Sequence, residues 1–189
     1  MASMDRSYFD DIYRDTPDPW GFESEWYEAR KYALTMASLP ERRYRSAFEP
    51  GCSVGVLTRL LGERCDRLLS TDIVTSMVER ARGRCIDLPG VRVEEGTIPD
   101  NWPPGPFDLV VLSEIAYYFD QPALEGLLSD MTRTTQPGAT IVGVHWRGQT
   151  NYPLTGDEAH EVINARPEFE RIIRHVESAF LLEVWNRGE

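Results

Sequence analysis

The chain lacks any apolar run near the 18 residues that a membrane-spanning helix needs, and its first residues, MASMDRSYFDD, are not a basic stretch followed by an apolar one. The expectation is a cytoplasmic protein with no membrane attachment. Cysteine is scarce: Cys52, Cys65 and Cys85 are odd in number, and their spacings of 13 and 20 match no zinc-ligand pattern. Three free thiols in a reducing compartment, and no metal site, are expected. Positive charge is short as well, with 20 Lys and Arg against 31 Asp and Glu, a formal net charge of −11 and a pI near 4.8. Such a surface repels phosphate backbones and anionic lipid, so nucleic acid is not an expected partner and a neutral or cationic small molecule fits better. Repeats and low-complexity linkers are missing too. The 189 residues, 41% of them hydrophobic, suffice for one sizeable core and are short for two.

What is present is an alternation of short apolar runs with helix-like stretches from residue 46 onward. SAFEP reads as a first strand, followed by a glycine-containing loop and a helix in which Val56, Leu57, Leu60 and Leu61 share a face. RLLSTD is a second strand, and Ser76 with Glu79 has the spacing of a capping box opening the next helix. VRVEEG and PFDLVVLSE follow as strands, the latter apolar enough for burial on both faces. Asp120 and Pro122 suit the start of a helix carrying Leu124, Leu127, Leu128 and Met131, which Gln136-Pro137-Gly138 ends in a turn before the strand ATIVGVHW. ERIIRHVE and AFLLEVWN read as a closing antiparallel hairpin. The fold class is therefore α/β, Rossmann-like, with a mostly parallel sheet covered by helices on both faces. Residues 46–189 form this core. Residues 1–45 form a helical lid on the same domain, with a helix beginning at Ser24 after an irregular Asp15-to-Gly21 segment.

The loop Gly51-Cys52-Ser53-Val54-Gly55 admits two chemistries. As G-x-S-x-G it would make Ser53 a hydrolase nucleophile, and as a glycine loop it would let a nucleotide cofactor lie against backbone. Three features oppose the hydrolase: the loop follows the first sheet strand, the chain is short for that fold, and Glu49 has no role in a nucleophile elbow. The cofactor reading predicts an acid at the end of the following strand, to receive ribose hydroxyls, and Asp72 stands there, 17 residues after Gly55. A dinucleotide fingerprint from Gly51 would need glycine where Ser53 and Val56 stand. The pattern acid-x-G-x-G-x-G is instead met by Glu49, Gly51 and Gly55, with a small serine in the middle.

That pattern resembles motif I of the class I S-adenosylmethionine-dependent methyltransferases. The resemblance extends to Asp72 as ribose acid, to Gly96, Thr97 and Ile98 as the adenine pocket after the third strand, and to Ser113, Glu114 and Ile115 as the floor after the fourth. It adds Cys52, Ser53, Ile73 and Met77 to the cofactor set, and S-adenosyl-L-methionine as the cofactor. DPDPWGF, EARKYA, EPGCSVGVLTRLL, FDLVVLSEIAYYF and HWRGQTNYPLTGDEAH resemble segments of the NodS family, the nodulation methyltransferases, which N-methylate the free amine of a deacetylated chitin oligosaccharide. The implied partner is a small-molecule amine or an amino sugar. A small-molecule O-methyltransferase, the serine hydrolase and a non-catalytic cofactor-binding module stay open as alternatives.

Methyl transfer from a sulfonium needs an acceptor lone pair held in line, with a base or carboxylate to steady an amine. Glu114, His145 and Tyr118 are the catalytic candidates. His145 lies at the end of the fifth strand and can equally be a satisfied core histidine. Trp20 and Arg30 are lid candidates toward the cofactor, an indole face for the sulfonium and a guanidinium for the carboxylate. Tyr117, Trp146 and Arg147 could stack on and hydrogen-bond a sugar.

Overall fold

The structure is a computed structural model in which residues 2–16 and 18–189 are described; Met1 and Pro17, the latter in the expected irregular segment, lie outside them. Its centre is a seven-stranded sheet of order β3-β2-β1-β4-β5-β7-β6. The strands are β1 (Ala47–Pro50), β2 (Leu68–Asp72), β3 (Val91–Glu95), β4 (Phe107–Ser113), β5 (Thr135–Trp146), β6 (Phe169–Val176) and β7 (Phe180–Arg187). β1 to β5 run parallel, and β7 pairs antiparallel with both β5 and β6, which closes the sheet with the expected hairpin.

Alternation along the central strand explains the two-sided core. Val110 and Leu112 of β4 pack with Phe48, Leu124, Leu127, Leu128 and Trp185 on one face, while Leu109 and Val111 pack with Leu57, Leu61, Phe180 and Val184 on the other. All four β4 residues are fully buried, so truncating one to alanine would cost about 2–5 kcal/mol. One face is covered by α5 (Gln121–Thr134) and α6 (Gly156–Asn164), the other by α2 (Trp26–Ser38), α3 (Val56–Gly62) and α4 (Thr75–Arg84). The start of α5 is capped as its sequence predicts, with the Asp120 carboxylate accepting from Ala123 N at 3.0 Å.

Four local expectations are corrected. α4 begins at Thr75, with Ser76 already inside it and no side-chain cap; Val74 N bonds Asp72 Oδ1 and Thr75 Oγ1 bonds Glu95 instead. Gln136-Pro137-Gly138 does not separate helix from strand, because β5 starts at Thr135 and runs through it as an irregularity with Gly138 at φ +80°. The lid holds an additional helix, α1 (Arg6–Asp15), capped by Asp5, so the irregular segment begins after Asp15. The second lid helix starts at Trp26, two residues past Ser24. Cys52, Cys65 and Cys85 are free and buried. Among the described residues no helix is long and apolar enough to cross a membrane.

Candidate active site

The parallel strands β1, β2, β3 and β4 all end at one edge of the sheet, and the glycine loop crosses that edge between β1 and α3. Gly51 has φ +73°, and a Cβ there would come within 2.6 Å of Ile115 Cδ1. Gly55 has φ +79° at the start of α3, where a Cβ would meet the Ala81 backbone at 2.7 Å. Ser53 itself is left-handed at φ 46°, an uncommon state for a residue with a side chain. The loop is thus bent sharply, with no room for a side chain at Gly51 or Gly55.

The space above β1 and β4 is a cleft of about 1010 Å3, counting its open mouth, with a mostly apolar wall in which Glu49, Asp72 and Glu114 are the acidic groups. Asp72 is 6% exposed at the end of β2; its Oδ2 accepts from Ser53 N at 2.8 Å and its Oδ1 from Val74 N at 2.9 Å. Each oxygen keeps lone pairs for a vicinal diol, since a carboxylate offers about four acceptor sites. Burial pushes the Asp72 carboxyl up to about 6. Glu49, bonded to Ser70 Oγ at 2.7 Å, is pushed up to about 7, also by burial. Two buried acids beside one cleft suit a cationic or hydroxyl-rich ligand, which would favour their ionised forms. Ile73, Gly96, Thr97 and Ile98 line the end expected for adenine, and Cys52, Ser113, Glu114 and Ile115 line the floor.

The lid supplies the roof. Phe9 and Tyr13 of α1, with Met4, Trp20 and Phe22, line the cleft, and Tyr13 OH meets Ser53 Oγ at 2.7 Å. Trp20 lies 5.5 Å from both the Tyr13 and Phe22 rings. The strap is tied down by Met4 N bonding Tyr118 O at 2.8 Å and by Arg6 bonding Glu95 at 2.7 Å.

A second cavity opens beside the first and shares Trp20, Phe22, Glu114 and Tyr118 with it. Its remaining wall is Tyr27, Glu28, Lys31, Tyr117, Trp146, Gln149, Thr150 and Tyr152. Glu114 stands at the seam in a left-handed conformation, φ 53°, the kind of strain that persists where surroundings over-determine it. Lys31 Nζ bonds its Oε1 at 2.5 Å, and the Tyr117 hydroxyl at 2.6 Å and Trp146 N at 2.9 Å bond its Oε2. Lys31 also bonds Glu28 at 2.9 Å and is itself 2% exposed.

The family model of nodulation protein S matches residues 10–147, a span that holds the glycine loop, Asp72, Glu114 and most of both cavity walls. The chain belongs to the nodulation protein S family. Nodulation protein S of Rhizobium tropici is 27% identical over 127 residues, 66% of this chain and 53% of its own. The chain spans about half to three-fifths of the length of the curated relatives of that name. A Pseudomonas syringae protein solved as a methyltransferase candidate is 42% identical, covers 86% of this chain and 100% of its own, and superposes with a TM-score of 0.77. The N-methyltransferase NodS of Bradyrhizobium japonicum WM9, solved with S-adenosyl-L-homocysteine, is 21% identical over 98% of this chain and 100% of its own, with a TM-score of 0.87. That likeness gives the fold: a Rossmann-like methyltransferase sheet with antiparallel strands at its carboxyl-terminal edge.

Within this nodulation protein S fold, five residues expected at the site line neither cavity, and one of them, Gly55, lies against the Ala81 backbone at the start of α3. Arg30 points outward and forms a two-pronged pair with Glu177 at 2.8 and 2.7 Å, because α2 turns that face to the hairpin. Arg147 holds Asp157 at 2.9 Å and the Glu177 carbonyl at 2.7 Å. Met77 packs under the loop with Val54 and Val74. His145 is fully buried. Its Nε2 accepts from Ala116 N at 3.0 Å, so the ring proton is on Nδ1, which meets His160 Nε2 at 2.9 Å, and His160 Nδ1 meets Glu183 at 2.8 Å. Burial holds the His145 pKa well below its ordinary value, and the ring fastens the Ala116–Tyr118 turn from beneath. The core-histidine reading is the one the geometry supports.

Proposed function

We propose that this chain is an S-adenosylmethionine-dependent N-methyltransferase acting on a small-molecule amine, and that the amine is carried by an amino sugar or a deacetylated chitooligosaccharide. The observation that carries the reading is the shared wall of the two cavities: a methyl donor cradled at the glycine loop and Asp72 would face an acceptor across Glu114 and Tyr118. A bound sulfonium donor supplies an already activated methyl carbon, so no metal or further cofactor is required of the site. The residues of this chain hold the acceptor nitrogen in line and keep water out, and near-attack positioning of this kind supplies most of the rate in such a displacement. Glu49, Asp72, Gly51, Ser53, Ile73, Thr97 and Ile98 would bind the cofactor, with Trp20 against its sulfonium side.

An amine is favoured over a hydroxyl acceptor by what stands near the seam. Of the bases expected from the sequence, Glu114 is filled by three donors and His145 is sealed beneath the turn, so neither can take the proton of a hydroxyl. An amine attacks with the lone pair of its neutral form, which a carboxylate on the wall can release from the ammonium. Tyr117, Tyr118, Tyr152 and Trp146 offer flat faces to a pyranose, and Gln149 and Thr150 offer hydrogen bonds at the rim. The hydrolase alternative fares worse still, because Ser53 bonds Tyr13 while His145 and His160 bond each other and His175 pairs with Glu177.

The test is methyl transfer from labelled cofactor to glucosamine, its oligomers, their fully acetylated counterparts, and small phenols and amines. Transfer to free sugar amines is expected. Transfer to phenols alone would move the enzyme to the O-methyl class, and transfer to a non-sugar amine alone would keep the reaction and discard the sugar. Cofactor binding with no turnover on any acceptor would favour the non-catalytic module.

A further inference from the structure

Two polar atoms of the acceptor cavity's wall are buried without a hydrogen-bond partner, Glu28 Oε2 and the Tyr27 hydroxyl. They sit on consecutive residues of α2, and Glu28 is only 5% exposed. An unsatisfied carboxylate oxygen in such a place is costly and marks a position where something else binds. The other Glu28 oxygen is taken by Lys31 at 2.9 Å.

Charge counting gives the sign of the missing partner. The carboxyl and amino side chains along the cavity wall are Glu28, Lys31 and Glu114, two acids against one base. Glu114 has both oxygens occupied, by Lys31 on one and by Tyr117 and Trp146 N on the other. The open valence on this wall is therefore at Glu28, whose carboxyl burial pushes above its ordinary value. Among the described residues lining the cavity there is no arginine, and the nearby Arg30 and Arg147 are committed to Glu177 and Asp157.

We propose that Glu28 is the residue that recognises the acceptor: its Oε2 binds the ammonium group and takes one proton from it, which frees the nitrogen lone pair for attack on the methyl carbon, with the Tyr27 hydroxyl bonding a neighbouring polar atom and Lys31 fixing Glu28 and Glu114 in register. This deepens the amine reading and rests on it. It also narrows the substrate class: a primary ammonium on an otherwise uncharged polar scaffold is accepted, and an amine that also carries phosphate or carboxylate is rejected, because no lining cation is free to receive the second charge.

The experiment is calorimetry on protein saturated with S-adenosylhomocysteine, with glucosamine, N-acetylglucosamine, glucosamine 6-phosphate and ethanolamine as probes, on the natural chain and on Glu28→Gln. Glucosamine is expected to bind, its acetylated and phosphorylated forms to bind roughly tenfold more weakly or worse, and Glu28→Gln to lose a similar factor for glucosamine. S-adenosylhomocysteine affinity is expected to stay unchanged in the variant. Equal glucosamine affinity in the natural chain and in Glu28→Gln would overturn the anchor and leave the amine reading standing. Failure of the natural chain to bind either glucosamine or ethanolamine while it binds S-adenosylhomocysteine would overturn the amine reading, and the anchor with it. Should Glu28→Gln lose S-adenosylhomocysteine binding, the natural chain decides through its single lysine. With 15N-lysine labelling, the one ammonium signal must shift with glucosamine and not with N-acetylglucosamine; an unshifted signal overturns the anchor.

Discussion

Glu114, Lys31 and Asp72 show three fates of a buried charge. Lys31 neutralises Glu114 and shares Glu28 while almost fully buried, so its removal strands two carboxylates rather than one bond. Lys31→Met should therefore cost about 3–5 kcal/mol of stability in urea unfolding, and a cost under 1 kcal/mol would mean that water reaches the cluster. Asp72 is held by two backbone N–H groups yet pushed up to about 6 by burial, and Glu49 up to about 7. A folded-state pKa raised above the unfolded one gives stability that is full below about pH 4 and is lost as pH rises through 6 to 7. Ligand-free Asp72→Asn should thus gain thermal stability relative to the natural chain as pH goes from 4 to 7, and a flat difference would contradict the burial argument. With cofactor present the same position works the other way: Asp72→Ala should weaken S-adenosylhomocysteine by roughly 1.5 to 3 kcal/mol, the range for hydrogen bonds to a charged group. Asp72 was legible in the sequence because the end of a strand is a sequence position. Lys31 was not, although it is the only lysine in the chain, since its partner Glu114 lies 83 residues away on another element.

The elements of the core are set by strong local signals, whereas those of the lid are set by the cleft they cover. β4 reads as buried from its unbroken apolar run, and α5 from its Asp120 cap and leucine stripe. α1 was missed although Phe9, Ile12 and Tyr13 recur at helical spacing, and its partners are the cleft wall and Tyr118 instead of a neighbouring helix. The Ser76 capping signal failed for a related reason. Asp72 and Glu95, acids at strand ends, take the donors that a local cap would have used. An element that packs over a ligand site, held by Met4 N on Tyr118 O and by exposed Arg6 pairs, should open more readily than the sheet. Hydrogen exchange should accordingly find Arg6–Asp15 less protected than Phe107–Ser113 without ligand, and newly protected once S-adenosylhomocysteine binds. Equal protection of α1 in both states would make the lid a fixed wall and Trp20 a structural anchor.

At the scale of the molecule, a parallel sheet places its ligands beyond the carboxyl ends of its strands, and here four consecutive strands deliver Glu49, Asp72, Gly96 and Glu114 to that edge. Spacing pointed to residues of both cavities, Glu49 and Asp72 on the first and Tyr117 and Trp146 on the second, but not to Glu28 and Lys31, which α2 brings to the second from far along the chain. The first cleft is built largely from residues next to strand ends, and the second cavity from α2, the turn after β4 and the loop after β5, three segments brought together only by folding. The overall charge of −11 pointed toward a cationic partner, but Arg30 and Arg147 show how little composition says about position: both were expected at the site and both serve the surface. The central claim is that the glycine loop, with a serine at its middle position and Asp72 beyond it, is built for a sulfonium nucleoside and not for a dinucleotide. Calorimetry with S-adenosylmethionine, S-adenosylhomocysteine and NAD on the same protein tests it directly: the first two are expected to bind and NAD to give no heat, whereas NAD binding without either sulfur nucleoside would contradict the account.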